Sequence, residues 1–434
     1  MFTIFAPITS IIRAGILVIR ISGPATIQCL KSLGFKGNPQ HQKISFQKIS
    51  DPKTSEIIDE VLVSFFQSPK SFTGEDVAEI SIHASPFILK KVLEILSQQK
   101  NVRLAEAGEF SKRAFLNGKL DLVQAEAIPD LIAAETAAQH KQALRQLEGS
   151  LGEIYENWRF RLVEISAMLE AAIDFPDEDL PKNITDKVEV DVKKLLTEIT
   201  THLDDGKVGQ KIKDGLSLAI IGAPNVGKSS LINFLARSEV AIVSEIAGTT
   251  RDVIEVHLSI AGVSVRISDT AGLRQTSDKI EAEGIRRALK KATEADLKIF
   301  LLDATNPILR EEDQHLIDEN TILVVNKIDL NQQSSNYIDI SLTNNINTSE
   351  LLKKLEEKIL EIIPNQNYPL ITAERYRSAL QNAAENLQNF SLQKNIELAA
   401  EDLRMTAREI GKITGKVDVE NILDVIFSRF CIGK

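Results

Sequence analysis

Residues 222–229 read Gly-Ala-Pro-Asn-Val-Gly-Lys-Ser and fit the pattern G-x-x-x-x-G-K-[ST]. A strand-like run, residues 218–221, precedes them, and a helical run, residues 230–237, follows. This strand–turn–helix context is the one in which the pattern forms a phosphate-binding loop. The glycines let backbone N–H groups turn toward phosphate oxygens, while Lys228 supplies positive charge and Ser229 offers a hydroxyl to Mg²⁺. We therefore predict that a nucleoside triphosphate binds here, helped by the partial positive charge of the helix N-terminus.

Residues 269–272, Asp-Thr-Ala-Gly, follow another strand-like run at 263–267. An acidic residue at a strand end can hold Mg²⁺ through water, and a glycine N–H can contact the γ-phosphate and move when that phosphate leaves. Between this motif and the loop, residues 248–252 form the segment that we expect to become ordered on the γ-phosphate. Thr250 is our choice for the second hydroxyl on Mg²⁺. Together these segments predict a nucleotide-dependent switch.

Residues 326–329, Asn-Lys-Ile-Asp, end a further strand-like run. A carboxylate such as Asp329 can accept two hydrogen bonds from N1–H and the exocyclic amine of guanine, whereas adenine presents no matching pair. Three motifs in this order, each after a strand, predict a protein that binds and hydrolyses GTP. Leu273 follows Gly272, so the chain lacks the glutamine that orients the attacking water in Ras, and another group must do so.

Composition and charge limit the classes of protein to which the chain can belong. The chain has 434 residues, 43% hydrophobic and 26% charged, which is ordinary for a soluble protein of two to four domains. A net charge of −10 argues against nucleic-acid binding through an overall basic surface. Cys29 and Cys431 form neither a disulfide framework nor a metal-ligand spacing, and they fit a reducing cytosol. Arg13 and Arg20 interrupt the apolar start, and we expect neither a signal peptide nor a membrane-spanning helix.

The pattern of the sequence changes three times along the chain. Residues 1–118 contain short β-rich runs and indicate a mixed α/β region, whereas residues 119–212 have the apolar spacing of long helices. Residues 213–371 alternate strands with helices, which predicts a mostly parallel sheet with helices on both faces. Residues 372–434 are again helical. We therefore expect a helical domain made of two sequence-distant pieces, with the nucleotide-binding domain inserted between them.

Several segments outside the nucleotide motifs carry a more specific resemblance. They are Ser-Phe-Thr-Gly-Glu-Asp at 71–76, Gly-Glu-Phe at 108–110, Ala-Phe-Leu-Asn at 114–117, Leu-Asp-Leu-Val-Gln-Ala-Glu-Ala at 120–127, Ala-Ile-Asp-Phe-Pro at 172–176 and Phe-Cys-Ile-Gly-Lys at 430–434. Through them the whole chain resembles the MnmE (TrmE) family of tRNA modification GTPases. The resemblance implies a multidomain α/β plus all-α fold: an N-terminal α/β folate-binding and dimerisation domain, a discontinuous helical domain and an inserted Ras-like P-loop G domain.

The resemblance also implies a function. Members of this family are homodimers that join the FAD-dependent partner MnmG, in a heterotetramer or larger assembly, to modify C5 of the wobble uridine in certain tRNAs. They add aminomethyl or carboxymethylaminomethyl groups, using 5-formyltetrahydrofolate or methylenetetrahydrofolate as the one-carbon source. Their GTP hydrolysis requires K⁺ and dimerisation of the G domains. We therefore expect a cytoplasmic GTPase that uses GTP, Mg²⁺, K⁺ and a folate, acts on tRNA and has no membrane partner.

The resemblance assigns the catalytic roles to Glu281, Lys228 and Asn225. Glu281 would position the attacking water through a second water, and the alternative is one more surface carboxylate on an amphipathic helix. A bound K⁺ would stand where other GTPases use an arginine finger. The K⁺ ligands implied are Asn225, Ser244, Ile246 and Thr249. The Mg²⁺ ligands implied are Ser229, Thr250 and, through water, Asp269. The GTP-binding residues implied are Asn225, Val226, Gly227, Lys228, Ser229, Ser230, Ser244, Glu245, Ile246, Ala247, Gly248, Thr249, Thr250, Asp269, Thr270, Ala271, Gly272, Asn326, Lys327, Asp329 and Ser341.

The resemblance places a folate site at Arg20, Glu79, Lys119 and Lys434, which offer charge partners for a pterin and a glutamate tail. Each of these residues is otherwise a surface charge. Cys431, the family's C-terminal cysteine, is a candidate for chemistry, and the alternative is a buried small hydrophobe.

The sequence departs from the family pattern in three places, one of which is His-Ala-Ser at residues 83–85, where His-Gly-Gly is common. Residues 10–15 replace its Gly-Arg-Gly turn. Residues 341–343 keep only the serine of the usual Ser-Ala-Lys motif, which leaves the third base contact to a backbone N–H.

A ribosome-assembly type of GTPase switch shares the nucleotide motifs and is the competing class. Such a protein would carry a basic KH-like RNA module with a GXXG loop, which this sequence lacks. The folate region and the C-terminal cysteine lie outside the G domain and favour the modification enzyme.

Overall fold

The computed structural model describes residues 2–12, 14–174, 184–238, 255–268, 293–331, 337–364, 368–393, 396–417, 420–428 and 430–433. The chain divides into two compact units. The first unit comprises Met1–Pro129, Gln146–Glu189 and Asn386–Lys434, and the second comprises Asp130–Arg145 and Val190–Glu385.

The first unit contains a six-stranded sheet. Its strands are β1 (Thr3–Pro7), β2 (Leu17–Ser22), β3 (Ile44–Ser50), β4 (Ile57–Phe66), β5 (Val77–Ile82) and β6 (Val102–Leu104). Their spatial order is β3-β4-β5-β2-β1-β6, and only the β1–β6 pair is parallel. Alternate residues of β4, including Val61 and Val63, are buried in the core of this unit, as expected for a strand with one covered face.

The helices lie in the two sequence-distant helical regions and in the connections between the strands of both sheets. In chain order they are α1 (Thr26–Ser32), α2 (Pro86–Ser97), α3 (Glu109–Leu116), α4 (Leu122–Ala133), α5 (Ala137–Leu147), α6 (Ser150–Asp174), α7 (Ile184–Leu203), α8 (Val208–Asp214), α9 (Lys228–Arg237), α10 (Thr348–Ile362), α11 (Glu374–Asn389), α12 (Ile396–Thr414) and α13 (Glu420–Phe427). A short 3₁₀ helix spans Glu311–Leu316. Within the first unit α6 packs along α12, so residues more than 200 positions apart in sequence share one helical core.

The second unit contains a second six-stranded sheet. Its strands are β7 (Leu216–Gly222), β8 (Glu255–Ile260), β9 (Val263–Ser268), β10 (Leu297–Asp303), β11 (Thr321–Asn326) and β12 (Ile338–Asp339). The spatial order is β12-β11-β10-β7-β9-β8, and every pair except the β8–β9 hairpin is parallel. The first six residues of β10 are all buried, as expected for a strand covered on both faces. The predicted mostly parallel sheet is confirmed.

The carboxyl ends of three neighbouring parallel strands meet at one edge of this sheet. Gly222 pairs with Leu301 near the end of β10, and Asp303 pairs with Asn326 at the end of β11. Ligands of open parallel sheets bind outside this edge. The sheet therefore brings the predicted phosphate-binding loop and the predicted base-binding motif to the same side of the molecule.

Within the second unit, the segments before and after the nucleotide-binding sheet are held together by buried groups. The guanidinium of Arg377 donates hydrogen bonds to the carbonyl oxygen of Leu203 at 2.9 Å and to Asp205 at 2.5 Å, and both charged side chains are buried. Gly209 of α8 lies against Ile371, because a Cβ at that position would stand 2.3 Å from the Ile371 carbonyl oxygen. The segments that lead into and out of the nucleotide-binding sheet therefore pack against each other.

No helix in the described ranges is long and apolar enough to cross a membrane. The four-segment division at residues 118, 212 and 371 stays a prediction.

Candidate nucleotide-binding site

The loop between β7 and α9 has the backbone that a phosphate cradle needs. Gly222 and Gly227 have φ values of +150° and +107°, which side chains other than glycine rarely adopt. A Cβ on Gly222 would stand 2.3 Å from the carbonyl oxygen of Leu301, and one on Gly227 would stand 2.4 Å from Nδ2 of Asn326. Both positions therefore require glycine. Helix α9 begins at Lys228, so its unpaired N–H groups open toward the loop.

Lys228 lies across its own loop. Its Nζ donates hydrogen bonds to the carbonyl oxygens of Gly222 at 2.9 Å and Ala223 at 2.8 Å. The neighbouring Ser229 and Ser230 are exposed in the first turn of α9, as is Asn225 in the loop. A cation and free hydroxyls on an amide-lined turn suit a triphosphate with Mg²⁺, so the donor set fits the predicted ligands.

Asn326 joins the phosphate loop to the base-binding segments. Its Nδ2 donates to the carbonyl oxygen of Val226 at 2.9 Å, and its Oδ1 accepts from the backbone N–H of Leu342 at 3.2 Å. The side chain is 4% exposed, so water does not compete for these bonds. Asn326 therefore sets the spacing between the parts that hold phosphate and the parts that hold the base.

The carboxylate of Asp329 is oriented by a serine. The buried hydroxyl of Ser341 donates to Oδ1 of Asp329 at 2.5 Å and accepts from the backbone N–H of Asn344 at 3.1 Å. Asp329 itself is exposed, so its carboxylate remains accessible to a ligand. From the sequence, Ser341 was predicted to bind GTP, with the third base contact left to a backbone N–H of residues 341–343, and its side-chain contact with Asp329 was missed.

Asp303 is a further residue at the edge of the candidate site that the sequence did not reveal. Its Oδ2 accepts from Nζ of Lys327 at 2.6 Å, and its Oδ1 accepts from the backbone N–H and the hydroxyl of Thr305. Burial raises the pKa of Asp303, but the hydrogen bonds from Lys327 and Thr305 outweigh it and hold the pKa below its usual range. The signal in the sequence was an acidic residue at the carboxyl end of a parallel strand. Asp303 fixes Lys327, which has φ of +69°.

The predicted switch residues, Glu281 of the catalytic set and one folate residue lie outside the described residues. They are Ser244, Glu245, Ile246, Ala247, Gly248, Thr249, Thr250, Asp269, Thr270, Ala271, Gly272 and Glu281, together with Lys434 of the folate set. Their roles stay predictions.

The first unit brings two of the predicted folate residues together. Arg20 on β2 and Glu79 on β5 face each other in register, and the guanidinium donates twice to Oε1 of Glu79, at 2.9 and 2.8 Å. The guanidinium carbon lies 5.1 Å from the centre of the Phe72 ring and 5.6 Å from that of Phe110. Lys119 donates to the carbonyl oxygen of Pro69, in the loop that also carries Phe72, at 3.0 Å. Two cations, a carboxylate and an aromatic ring fit the carboxylates and the planar ring system of a folate.

The two cysteines differ in accessibility. Burial raises the pKa of Cys29 to about 11, so this thiol stays protonated. Cys431 is exposed, and the alternative of a buried small hydrophobe is wrong for it. The chain end packs on the first unit instead through its neighbours: Ile432 pairs with Ala107, and Gly433 lies against the carbonyl oxygen of Pro7. Among the described residues, no group of three or more His, Cys, Asp or Glu is placed to bind a metal.

A phosphate loop and an Asn-Lys-x-Asp motif at the carboxyl edge of a parallel sheet define the class of P-loop GTPases. The profile described as MnmE helical domain matches residues 122–431, and that described as GTP-binding protein TrmE N-terminus matches residues 3–119. The chain belongs to the MnmE family of tRNA modification GTPases. It is 48% identical to the tRNA modification GTPase MnmE of Rickettsia rickettsii (strain Sheila Smith) and 47% identical to that of Rickettsia bellii (strain RML369-C), with 100% of each chain covered in both comparisons.

Solved structures of GTPase domains resemble part of the chain. Era in complex with MgGDPNP and nucleotides 1506–1542 of 16S ribosomal RNA is 26% identical, with 39% of this chain and 66% of that chain covered and a TM-score of 0.26. The G domain of the T. maritima FeoB iron transporter is 27% identical, with 34% and 98% covered and a TM-score of 0.24.

Proposed function

We propose that this chain hydrolyses GTP as one component of a complex that modifies C5 of the wobble uridine in certain tRNAs. The added group is aminomethyl or carboxymethylaminomethyl, and 5-formyltetrahydrofolate or methylenetetrahydrofolate is the one-carbon source. One feature of the chain supports this most strongly: the nucleotide site of the second unit is accompanied by a cationic, aromatic-walled site around Arg20 in the first. A switch that only binds ribosomal RNA has no use for that second site.

The nucleotide site supplies positive charge to the phosphates and recognises the base. Lys228 exchanges its two loop carbonyls for phosphate oxygens, and the N-terminus of α9 adds its partial positive charge. Ser229 and Thr250, with Asp269 through water, would hold Mg²⁺, which offsets the charge that develops on the phosphates. Asp329, held by Ser341, reads the guanine.

Hydrolysis needs a cation and an oriented water besides these groups. We assign the K⁺ ligands to Asn225, Ser244, Ile246 and Thr249. Glu281 positions the attacking water, in the role that glutamine has in Ras. A cation held by these residues would supply the positive charge that an arginine finger supplies in other GTPases. Because G domains dimerise across the nucleotide in this scheme, GTP turnover depends on the homodimer.

The cation assignment is tested by GTP turnover of the full chain in KCl and in NaCl at equal ionic strength with Mg²⁺. We expect turnover to be about 10²-fold faster in K⁺, the scale on which one stabilising group at the transition state acts. Asn225→Gly should remove the K⁺ stimulation. Glycine is chosen because the backbone at position 225 has φ of +62°. Equal rates in the two salts would refute the K⁺ role.

Glu281 is tested in the same assay. Glu281→Ala should slow turnover by about 10²-fold or more while GTP affinity stays nearly unchanged, because the group acts in the transition state. Glu283→Ala, two positions away, is the matched control and should behave as the wild type. Full activity of Glu281→Ala would remove this residue from catalysis.

The remaining parts of the proposal concern the assembly. Arg20, Glu79, Lys119 and Lys434 bind the folate, and the exposed Cys431 is a candidate for chemistry near the chain end. The homodimer joins the FAD-dependent MnmG in a heterotetramer or larger complex. Its substrate is tRNA, which places the activity in the cytoplasm.

A further inference from the structure

A buried ion pair of the first unit lies close to the candidate folate residues. Arg113 on α3 is 7% exposed, and its guanidinium donates to both carboxylate oxygens of Glu75, at 3.1 and 3.0 Å, and to Glu109 at 2.9 Å. Glu75 also accepts from the hydroxyl of Ser22 at 2.6 Å. A buried arginine is costly unless fully paired, and these bonds satisfy it in one geometry.

This pair fixes the loop formed by residues 68–76. The hydroxyl of Thr73 lies 2.7 Å from that of Ser22, and the side chain of Asn117 donates to the Thr73 carbonyl oxygen at 2.7 Å. The hydroxyl of Ser71 donates to the backbone of Glu75 at 2.5 Å. The loop is thus tied on both sides of Phe72, the residue between Ser71 and Thr73.

Phe72 is exposed within this loop, as are Ser68, Pro69 and Lys70, and it is the aromatic residue among them. Phe72 is 36% exposed, whereas Phe110, the other ring near the Arg20 guanidinium, is fully buried. The Arg20 guanidinium faces the Phe72 ring, and Lys119 bonds to the same loop at Pro69. An exposed aromatic ring beside the Arg20 guanidinium offers a stacking surface for the conjugated pyrimidine ring of a folate's bicyclic ring system.

We propose that Phe72 stacks on the bicyclic ring system of the folate, and that the Arg113–Glu75 pair positions Phe72 for this contact. The inference rests on the proposed folate role and adds to it the side chain that selects the ring system. Phe72 is then a binding residue, and Arg113 and Glu75 are positioning residues that act through it.

The stacking contact is tested by calorimetric titration of the full chain with 5-formyltetrahydrofolate and with p-aminobenzoyl-glutamate, the fragment without the bicyclic ring. Phe72→Leu should weaken binding of the whole folate about three- to tenfold, the range of an aromatic pair, and leave binding of the fragment unchanged. Phe72→Tyr should retain the affinity. Phe87→Leu, at a 66% exposed phenylalanine of α2, is the control and should bind as the wild type.

Each other outcome overturns the inference in a recognisable way. Unchanged folate affinity in Phe72→Leu, or equal weakening of both ligands, removes Phe72 from the ring site while the folate role of the chain stands. If the wild type binds no folate, the folate part of the proposed function fails, and this inference fails with it.

Positioning is tested with Arg113→Lys, which keeps the charge but loses the forked geometry. Because Arg113 acts through Phe72, Arg113→Lys should lose folate affinity and keep fragment affinity, and the double variant with Phe72→Leu should lose no more than Phe72→Leu alone. Additive losses, or an unchanged affinity in Arg113→Lys, would contradict the positioning role. Glu75→Gln, which preserves shape and removes the charge, serves the same test if Arg113→Lys does not fold.

Discussion

Asp329 illustrates how the site is prepared at the scale of single residues. The hydroxyl of Ser341 occupies one carboxylate oxygen, and Asn344 in turn holds the serine. The carboxylate is thereby turned to one orientation before a base arrives. A group oriented in advance loses less conformational freedom on binding, which strengthens discrimination between bases.

Replacement of Asp329 by asparagine should exchange guanine for xanthine. Guanine offers two donors to the carboxylate, whereas xanthine offers one donor and one carbonyl, which match the oxygen and the NH₂ group of an amide. We expect GTP affinity to fall by about 10²-fold or more and XTP affinity to rise above it, measured by titration with non-hydrolysable analogues in Mg²⁺. Asp339→Asn, on the neighbouring β12, is the control. If Asp329→Asn still preferred GTP, the base assignment would be wrong.

The sequence predicted the residues whose role follows from local spacing and missed those defined by distant partners. The phosphate loop is contiguous, so its glycines and Lys228 were identifiable. The hydrogen bond between Asp303 and Lys327 joins the end of β10 to the residue after β11 across 24 positions, and the contact of Arg20 with the Phe72 ring joins β2 to a distant loop. Cys431 was interpreted by residue type alone, and its exposure depends on how the chain end packs.

At the scale of elements, the strands of the nucleotide-binding sheet were predicted well because strands buried on both faces are continuous apolar runs. The predicted run at 263–267 falls within β9, Val263–Ser268, and the run at 218–221 extends back to Leu216 in β7. Leu216 pairs with Val265 in β9, and such non-local pairing sets strand ends. The order of the strands depends on the same non-local pairing, so local sequence patterns did not predict it.

The contact between α8 and residues 370–371 gives a prediction about the packing of these elements. In Gly209→Ala the new methyl group would meet the Ile371 carbonyl oxygen and the Leu370 side chain, at 2.3 and 2.8 Å before any shift. Backbone atoms cannot swing aside as a flexible side chain can, so we expect a destabilisation of about 1–3 kcal/mol and a lower Tm by calorimetry.

A glycine in open space provides the comparison for that measurement. Gly15→Ala, where a Cβ would meet nothing within 4 Å, should leave the Tm unchanged. An unaltered Tm in Gly209→Ala would show that α8 does not pack closely on residues 370–371.

At the scale of the whole molecule, the two candidate sites belong to different compact units. Arg20, Glu79 and Lys119 lie in the first unit, and all described residues of the nucleotide site lie in the second. Any effect of GTP on the uridine chemistry must therefore pass between the units. Because the two sites lie in different units, we expect variants of one site to leave ligand binding at the other intact.

The most direct test of the account is nucleoside analysis of tRNA by mass spectrometry in a strain lacking this gene. We predict that aminomethyl and carboxymethylaminomethyl wobble uridines are lost, and that the wild-type chain and Lys353→Ala, at an exposed lysine of the same unit, restore them. Lys228→Ala should not restore them, because the phosphates lose their cation. Unchanged wobble uridines in the deletion strain, or full restoration by Lys228→Ala, would contradict a GTP-driven role in tRNA modification.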